Sequence, residues 1–406
     1  MSEAQAITLE RCLHAHEAAA SIVRRTPVLT SAGISERCGG TIALKAECLQ
    51  RTGSFKLRGA LEKLRVLDPD SRGVVAGSAG NHAQSLAYAA RERKIPCEVF
   101  MPLGASVSKS TAVEAFGAVI HREGESVDEC LELARERAAQ ARMTFVHPFD
   151  DEDIITGQAG VGIELAEQAR DLSKVIVPVG GGGLISGVAI ALKHQLPDVQ
   201  VIGVQASACD PFVQSLKAGL PVAAQSARTI ADGIAVKQPG QKTLALISRW
   251  VDDVVSVDED AIAAAMVLAL ERSKLVVEGA GAASLAALLT GVVKPAEHGS
   301  TVAILSGGNV DIGLLAAVAA RQETRAGRRV RLHTHVSDRP GGLAALLAVI
   351  AESHANVIAL EHIRDGVPLS INQTLVALTI ETRGKAHLEQ VLGSLSQAGY
   401  DPTRAD

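Results

Sequence analysis

The run Val175 to Leu192, "VIVPVGGGGLISGVAIAL", is the one stretch of this chain long and apolar enough to suggest a membrane span. Pro178 and the four consecutive glycines Gly180, Gly181, Gly182 and Gly183 would break such a helix in its middle, so a span is rejected. The alternative is a buried strand ending at Val179, a glycine loop, and a helix beginning near Leu184. A strand that feeds a helix through a glycine loop is the first half of a parallel βαβ unit.

Outward from this run the same alternation repeats. "GVVAG" (73–77), "CEVFMP" (97–102), "AVIHR" (118–122), "KVIVPVG" (174–180), "VQVIGVQ" (199–205) and "TVAILSGG" (301–308) read as buried strands. Between them, "SVDECLELARERAAQA" and "EDAIAAAMVLALERSK" place apolar residues at i, i+3, i+4 and i+7, the helical spacing. Repeated strand and helix predict a doubly wound α/β architecture, in which ligands sit where strands end and helices begin.

At 406 residues and 47% apolar composition the chain can fill two or three domains and bury a large core. Its net charge of −5 and 2% aromatic content exclude the basic field and stacking surface that a nucleic-acid partner needs, and no anionic membrane is favoured either. The six cysteines form no CxxC pair, which suits reduced thiols in a cytoplasmic protein and gives no metal site. The N-terminus "MSEAQAITLERCLHAHEAAA" reads as an amphipathic helix and as no targeting peptide.

Apolar density drops and arginines cluster at "RQETRAGRRVRLHTH" (321–335). We place residues 1–325 in a larger domain, with a smaller subdomain inserted over about 50–150, residues 326–330 in a linker, and 331–406 in a second domain. The last segment reads strand (Arg331 to Val336), helix (Gly342 to Ser353), strand (Ala355 to Ile363), strand (Asn372 to Thr382) and helix (His387 to Ala398), a split βαβ sandwich.

Four junctions carry chemistry. In "RTGSFKLRGA" (51–60), Leu57, Ala60, Leu61, Leu64 and Leu67 recur at helical spacing, placing Lys56 at a helix mouth with Ser54 as its cap. The positive helix end disfavours an ammonium there, and a partly neutral lysine can bond to an aldehyde and later move protons. A solvated surface lysine is the plain alternative. In "VPVGGGGLISG", bare N–H groups at a helix start form an anion cradle, although the spacing matches neither the dinucleotide fingerprint nor a P-loop. In "GSAGNHAQSLAYAARE", Ser78, Gly80, Asn81 and His82 join a strand to a helix and suit a carboxylate, or Ser78 and Asn81 simply cap that helix. In "AILSGGN", Ser306 offers a neutral hydroxyl at a strand end.

A phosphate, an aldehyde and a ring nitrogen point to one cofactor, pyridoxal 5'-phosphate. The order "SFKLRGA", "SAGNHAQ", "GGGGL", "SGGN" resembles the fold-type II pyridoxal-phosphate enzymes (tryptophan synthase β-like), and within them the threonine dehydratases, or threonine ammonia-lyases. The resemblance spans residues 5 to 325 and implies two doubly wound subdomains. It implies that Lys56 forms the Schiff base and Phe55 packs near the ring, with Asn81 on the ring hydroxyl. Gly180 to Gly183 and Leu184 would take the phosphate and Ser306 the pyridine nitrogen. Ser78 would join Lys56 in catalysis. "ADGIAV" and "VEGAGA" place Gly233 and Glu278 in the pocket. The implied substrates are L-threonine and L-serine. Ala79 stands where serine racemases of this group carry a serine, which favours elimination over racemisation. Gln205 and Pro211 stand where some relatives hold a cation through acids, so no metal is expected.

The C-terminal signature "VSDRPGGLAALLAVIAESHANVIALEH" resembles the ligand loop of an ACT domain, a ferredoxin-like module, at Asp338, Pro340, Gly341 and Gly342. That resemblance implies a regulatory domain with an amino-acid effector such as isoleucine or valine, in a homo-oligomer, dimer or tetramer. A purely structural dimerisation domain is the alternative. His333 and His335 share a strand but lack further ligands, so they carry no metal assignment. Two other functions fit the same motifs: a serine racemase or other hydroxy-amino-acid lyase, and an amino-acid sensor with an inactive site.

Overall fold

The computed structural model describes residues 7–169, 171–365 and 370–405. It divides into two compact units, Met1–Asp311 and Ile312–Asp406. The helix Ile312–Arg325, which composition groups with the larger domain, packs on strand Arg329–Ser337 and so belongs to the second unit.

The first unit holds two sheets. The larger runs Val28–Thr30, Ile42–Lys45, Ser300–Ile304, Leu172–Pro178, Gln200–Ala206, Asp253–Val257, and every neighbouring pair is parallel except the first. Helices cover both faces of such a sheet, so its strands read as continuous apolar runs rather than alternating ones. Val175, Val177, Val201 and Val302 are accordingly fully buried. The smaller sheet runs Val119–Arg122, Cys97–Met101, Val74–Gly77, Thr144–Phe145 and is parallel throughout.

The doubly wound expectation therefore holds, with corrections in detail. "AVIHR" was expected to be buried, yet Val119–Arg122 is an edge strand with Val119 56% exposed, because it has a neighbour on one side only. "TVAILSGG" ends as a strand at Ile304 and continues as a loop. Four strands were missed: Val28–Thr30, Ile42–Lys45, Thr144–Phe145 and Asp253–Val257.

In the second unit one antiparallel sheet runs Asn356–Ile363, Gln373–Glu381, Arg329–Ser337, Thr403–Arg404. Helices Gly342–Glu352 and Lys385–Gln397 pack on it around Leu332, Leu346, Leu378 and Leu395, the expected split βαβ order. Among the described residues no helix is long and apolar enough to cross a membrane. The six cysteines are unpaired, and burial pushes the thiols of Cys12, Cys48 and Cys97 up to about 12.

Candidate active site

The segment leading into Lys56 is zipped to the loop after strand Ser300–Ile304. Phe55 N donates to Ser306 O at 3.1 Å, Gly308 N donates to Gly53 O at 2.9 Å, and Ser54 bridges Gly307. Lys56 then opens helix Lys56–Arg65, so the lysine and Ser306 are brought together by backbone pairing. Lys56 Nζ donates to Pro148 O at 2.7 Å and lies 5.3 Å from the centre of the Phe55 ring. The expected cap is corrected: Phe55 holds the cap position, while the Ser54 Oγ is buried without a partner.

Burial in the cleft pulls the Lys56 ammonium down to about 8, against the opposing pull of the Glu278 carboxylate. Desolvation, which favours the neutral amine, is thus the main cause where the helix end had been expected to act. Glu278 is itself pushed up to about 7, first by burial and then by the charge of Asp232. His82 and His147 are both held neutral by burial, at about 3 and about 4, with Lys56 adding to the effect. His82 Nε2 lies 3.0 Å from Val146 O, and His147 Nδ1 accepts from Asp150 N at 2.8 Å.

A pH dependence follows. Only the neutral amine bonds an aldehyde, so cofactor capture by the stripped protein should rise with pH and level off just above pH 8, the value for Lys56. Stopped-flow absorbance checks this; a rate still climbing at the ordinary lysine value of 10.5 would mean a solvated lysine.

Asn81 begins helix Asn81–Arg93. Its Nδ2 donates to Glu278 Oε1 at 2.7 Å and its Oδ1 accepts from Asn309 Nδ2 at 2.6 Å. A Cβ at Gly307 would collide with Glu278 Oε1, and one at Gly233 would lie 3.4 Å from the same oxygen. Gly233, Glu278, Asn81 and the Ser306 loop therefore surround one space. The Ser78 Oγ accepts from Gly80 N at 3.2 Å in the same strand-to-helix turn.

The glycine loop closes against the segment after Phe145. A Cβ at Gly181 would collide with the Phe149 ring, 2.1–2.3 Å from three of its carbons, and one at Gly180 would lie 2.9 Å from Ile234 Cα. Gly182 has φ +89°, and a Cβ there would meet Phe212, Thr243 and Ile247, each at 2.9 Å. Only glycine fits these positions, which leaves backbone N–H groups bare at the start of helix Gly183–Gln195. In its first turn the buried Ser186 Oγ has no partner. A phosphate suits this donor set.

The family model described as "Pyridoxal-phosphate dependent enzyme" matches residues 20–307. The chain belongs to that family. This pyridoxal-phosphate dependent enzyme is 42% identical over 398 residues to the L-threonine ammonia-lyase of Thermotoga maritima, covering 97% of this chain and 98% of that one. Among solved structures it resembles maize serine racemase, at TM-score 0.73 and 35% identity over 78% of this chain and 98% of the other. It also resembles the processed form of threonine deaminase isoform 2 from Solanum lycopersicum, at TM-score 0.72 and 33% identity over 76% and 92%.

Several groups at this enzyme's cleft escaped the sequence reading. Pro148 offers its carbonyl to Lys56, Phe149 walls the glycine loop, Asn309 clamps Asn81, and Lys109 reaches Asp232 at 2.6 Å. "FVHPFD" (145–150) joins a strand end to a helix start, the signal that singled out the other loops. Gln205 is fully buried; its Oε1 accepts from Phe212 N at 2.9 Å and its Nε2 donates to Val179 O at 3.3 Å. Among the described residues no group of three or more His, Cys, Asp or Glu side chains is placed to hold a metal.

Asp338, Pro340, Gly341 and Gly342 lie in the second unit. Gly341, at φ +92°, turns the chain into helix Gly342–Glu352, and Asp338 pairs with Arg364 at 2.9 Å.

Proposed function

We propose that the chain is a pyridoxal-phosphate dependent lyase that converts L-threonine to 2-oxobutanoate and ammonia, and L-serine to pyruvate and ammonia. The observation that carries this reading is Lys56, its amine lowered to about 8 within one cleft shared with a glycine cradle, Ser306 and Asn81. The N–H groups of Gly180 to Gly183 would hold the phosphate, Asn81 the ring hydroxyl and Ser306 the ring nitrogen. Phe55 would pack beside the ring, and Leu184, Gly233 and Glu278 would complete the wall. When bound, pyridoxal phosphate supplies an aldehyde for the substrate amine and an electron-withdrawing ring.

The remaining work falls to this chain's own groups. Ser78 and the first N–H groups of helix Asn81–Arg93, with Gly80, Asn81 and His82 in that turn, hold the substrate carboxylate. Neutral Lys56 takes the Cα proton and, once charged, can return it to the departing β-hydroxyl. Ser306 places no carboxylate beside the ring nitrogen, so negative charge does not accumulate at Cα and loss of the hydroxyl is favoured. Ala79 brings no proton donor to the substrate, which supports elimination over racemisation.

The second unit is read as an ACT domain whose Asp338–Gly342 loop binds an amino-acid effector, isoleucine or valine, within a homo-oligomer. Its antiparallel split βαβ sheet and the left-handed turn at Gly341 support this reading. The experiment is 2-oxo acid release from L-threonine and L-serine, with and without each effector. We expect faster release from threonine and an effector-dependent change in apparent affinity of about 5–150-fold. Accumulation of D-serine without 2-oxo acid would move the assignment to a racemase.

A further inference from the structure

Strand Arg329–Ser337 carries the Asp338–Gly342 loop beyond its C-terminal end, and its N-terminal end borders a cavity of about 600 Å³ in the same unit. Arg325, Arg329, Arg331, Lys385 and Arg404 line this cavity, and its floor borders Val330 and Leu388 of the unit's apolar core. One acid lines it, Glu389, and that acid is engaged by Arg404 at 2.6 Å. The nearby Glu323 is taken by Arg328 through two hydrogen bonds of 2.7 and 2.9 Å. Glu381 sits opposite Arg329 in register and accepts from Asn356 Nδ2 at 3.4 Å. Among the described residues no carboxylate lies within ion-pair distance of Arg329, Arg331 or Lys385.

Arg329, Arg331 and Lys385 repel each other across one concavity, and the acid that lines it, Glu389, is already engaged by Arg404. Guanidinium forks on a rigid strand match phosphate oxygens in pairs, and the Thr379 hydroxyl stands opposite Arg331 in register as a further donor. The volume falls within the range of roughly 300–1,000 Å³ typical of small-molecule sites. Arg329 has Glu381 across the strand pair without an ion pair, Arg331 and Lys385 have no carboxylate partner among the described residues, and a compact multivalent anion would compensate this surplus.

We propose that this cavity binds a small metabolite carrying a diphosphate group. The site is separate from both the cofactor cleft and the Asp338–Gly342 loop, and the proposal stands whether or not that loop binds an amino acid.

The test is calorimetric melting and titration of the full-length holoenzyme, in which bound cofactor fills the glycine cradle. Inorganic pyrophosphate and ADP are the probes, and sodium chloride at matched ionic strength is the reference. Pyrophosphate should raise the melting temperature where chloride does not. An Arg329→Ser/Arg331→Ser variant should weaken pyrophosphate about a hundredfold, roughly tenfold for each guanidinium–phosphate pairing removed. Its 2-oxo acid release without ligand should be unchanged. If that pair impairs folding, Lys385→Gln, on the exposed start of its helix, serves with an expected weakening of about tenfold. ADP binding tighter than pyrophosphate would support a nucleotide; equal binding would support recognition of the diphosphate alone. Stabilisation equal to that of chloride, or pyrophosphate binding that survives both sets of substitutions, would overturn the proposal.

Discussion

A Lys56→Ala chain is expected to lose about 10⁴-fold or more of its 2-oxo acid release from L-threonine, the scale on which removal of a nucleophile and base acts. It should also lack the visible absorbance of lysine-bound cofactor. No neighbouring lysine can take over. Lys63 is tied to Asp151 at 2.6 Å and Asp153 at 2.9 Å, and Lys109 to Asp232 at 2.6 Å. Both remain above the ordinary lysine value despite the opposing effect of burial, because these carboxylates hold the proton. Lys45 is fully buried against Glu164. Lys56 is the one whose amine is released by desolvation with no direct acidic partner. The substitution removes one side-chain hydrogen bond, to Pro148 O, so the fold should survive, as circular dichroism would verify. Activity within tenfold of wild type would place the chemistry elsewhere.

Arg58→Met should have the largest effect on stability. Two residues beyond Lys56 on the same helix, Arg58 donates to Glu47 Oε1 and Oε2 at 2.8 and 2.9 Å, and to Glu164 Oε1 and Oε2 at 2.7 and 3.0 Å. Lys45 Nζ completes the cluster, donating to Glu164 Oε2 at 2.5 Å and to Thr26 O at 2.8 Å. All four charged side chains are 2% exposed or less. Burial alone would push the Glu47 carboxyl up; the guanidinium outweighs it and holds the group below its usual range.

Removing Arg58 leaves two buried carboxylates against one ammonium, which costs about 3–5 kcal/mol. Calorimetry should show this as a fall in melting temperature of roughly 6–20 °C. The sign with pH also follows. A depressed carboxyl contributes stability above its unfolded value, near 4.5 for Glu47, and loses it as pH falls through the folded one. The variant should therefore lose most stability at neutral pH and differ least from wild type in acid. A destabilisation below about 1 kcal/mol at pH 7 would show that the cluster is not an obligatory unit.

The parts of the fold legible in the sequence were those written locally. Leu172–Pro178 and Gln200–Ala206 are buried on both sides, so their apolar runs were plain. Ile42–Lys45 was hidden because its last residue is the lysine of the buried ion cluster, and a charge in a short run mimics a surface loop. Thr144–Phe145 has two residues, too few for a pattern, and Val28–Thr30 has three.

The site divided in the same way. Glycines and Lys56 announced themselves by motif, yet what sets the lysine's chemistry is tertiary. Its carbonyl partner Pro148 lies 92 residues away, and the Asn81–Glu278 contact joins residues 197 apart. Ser54 read as a helix cap because its type and position fit one; the helix instead begins one residue later than that reading needs, with Phe55 at the cap and Ser54 paired through its backbone to Gly307.

The most direct test of the central claim is to reduce the holoenzyme with borohydride, digest it, and locate the lysine that carries the cofactor by mass spectrometry. Label confined to the peptide containing Lys56 is the predicted result. Label on Lys63, Lys109 or any other lysine, with Lys56 unmodified, would contradict the assignment of this cleft as the active site.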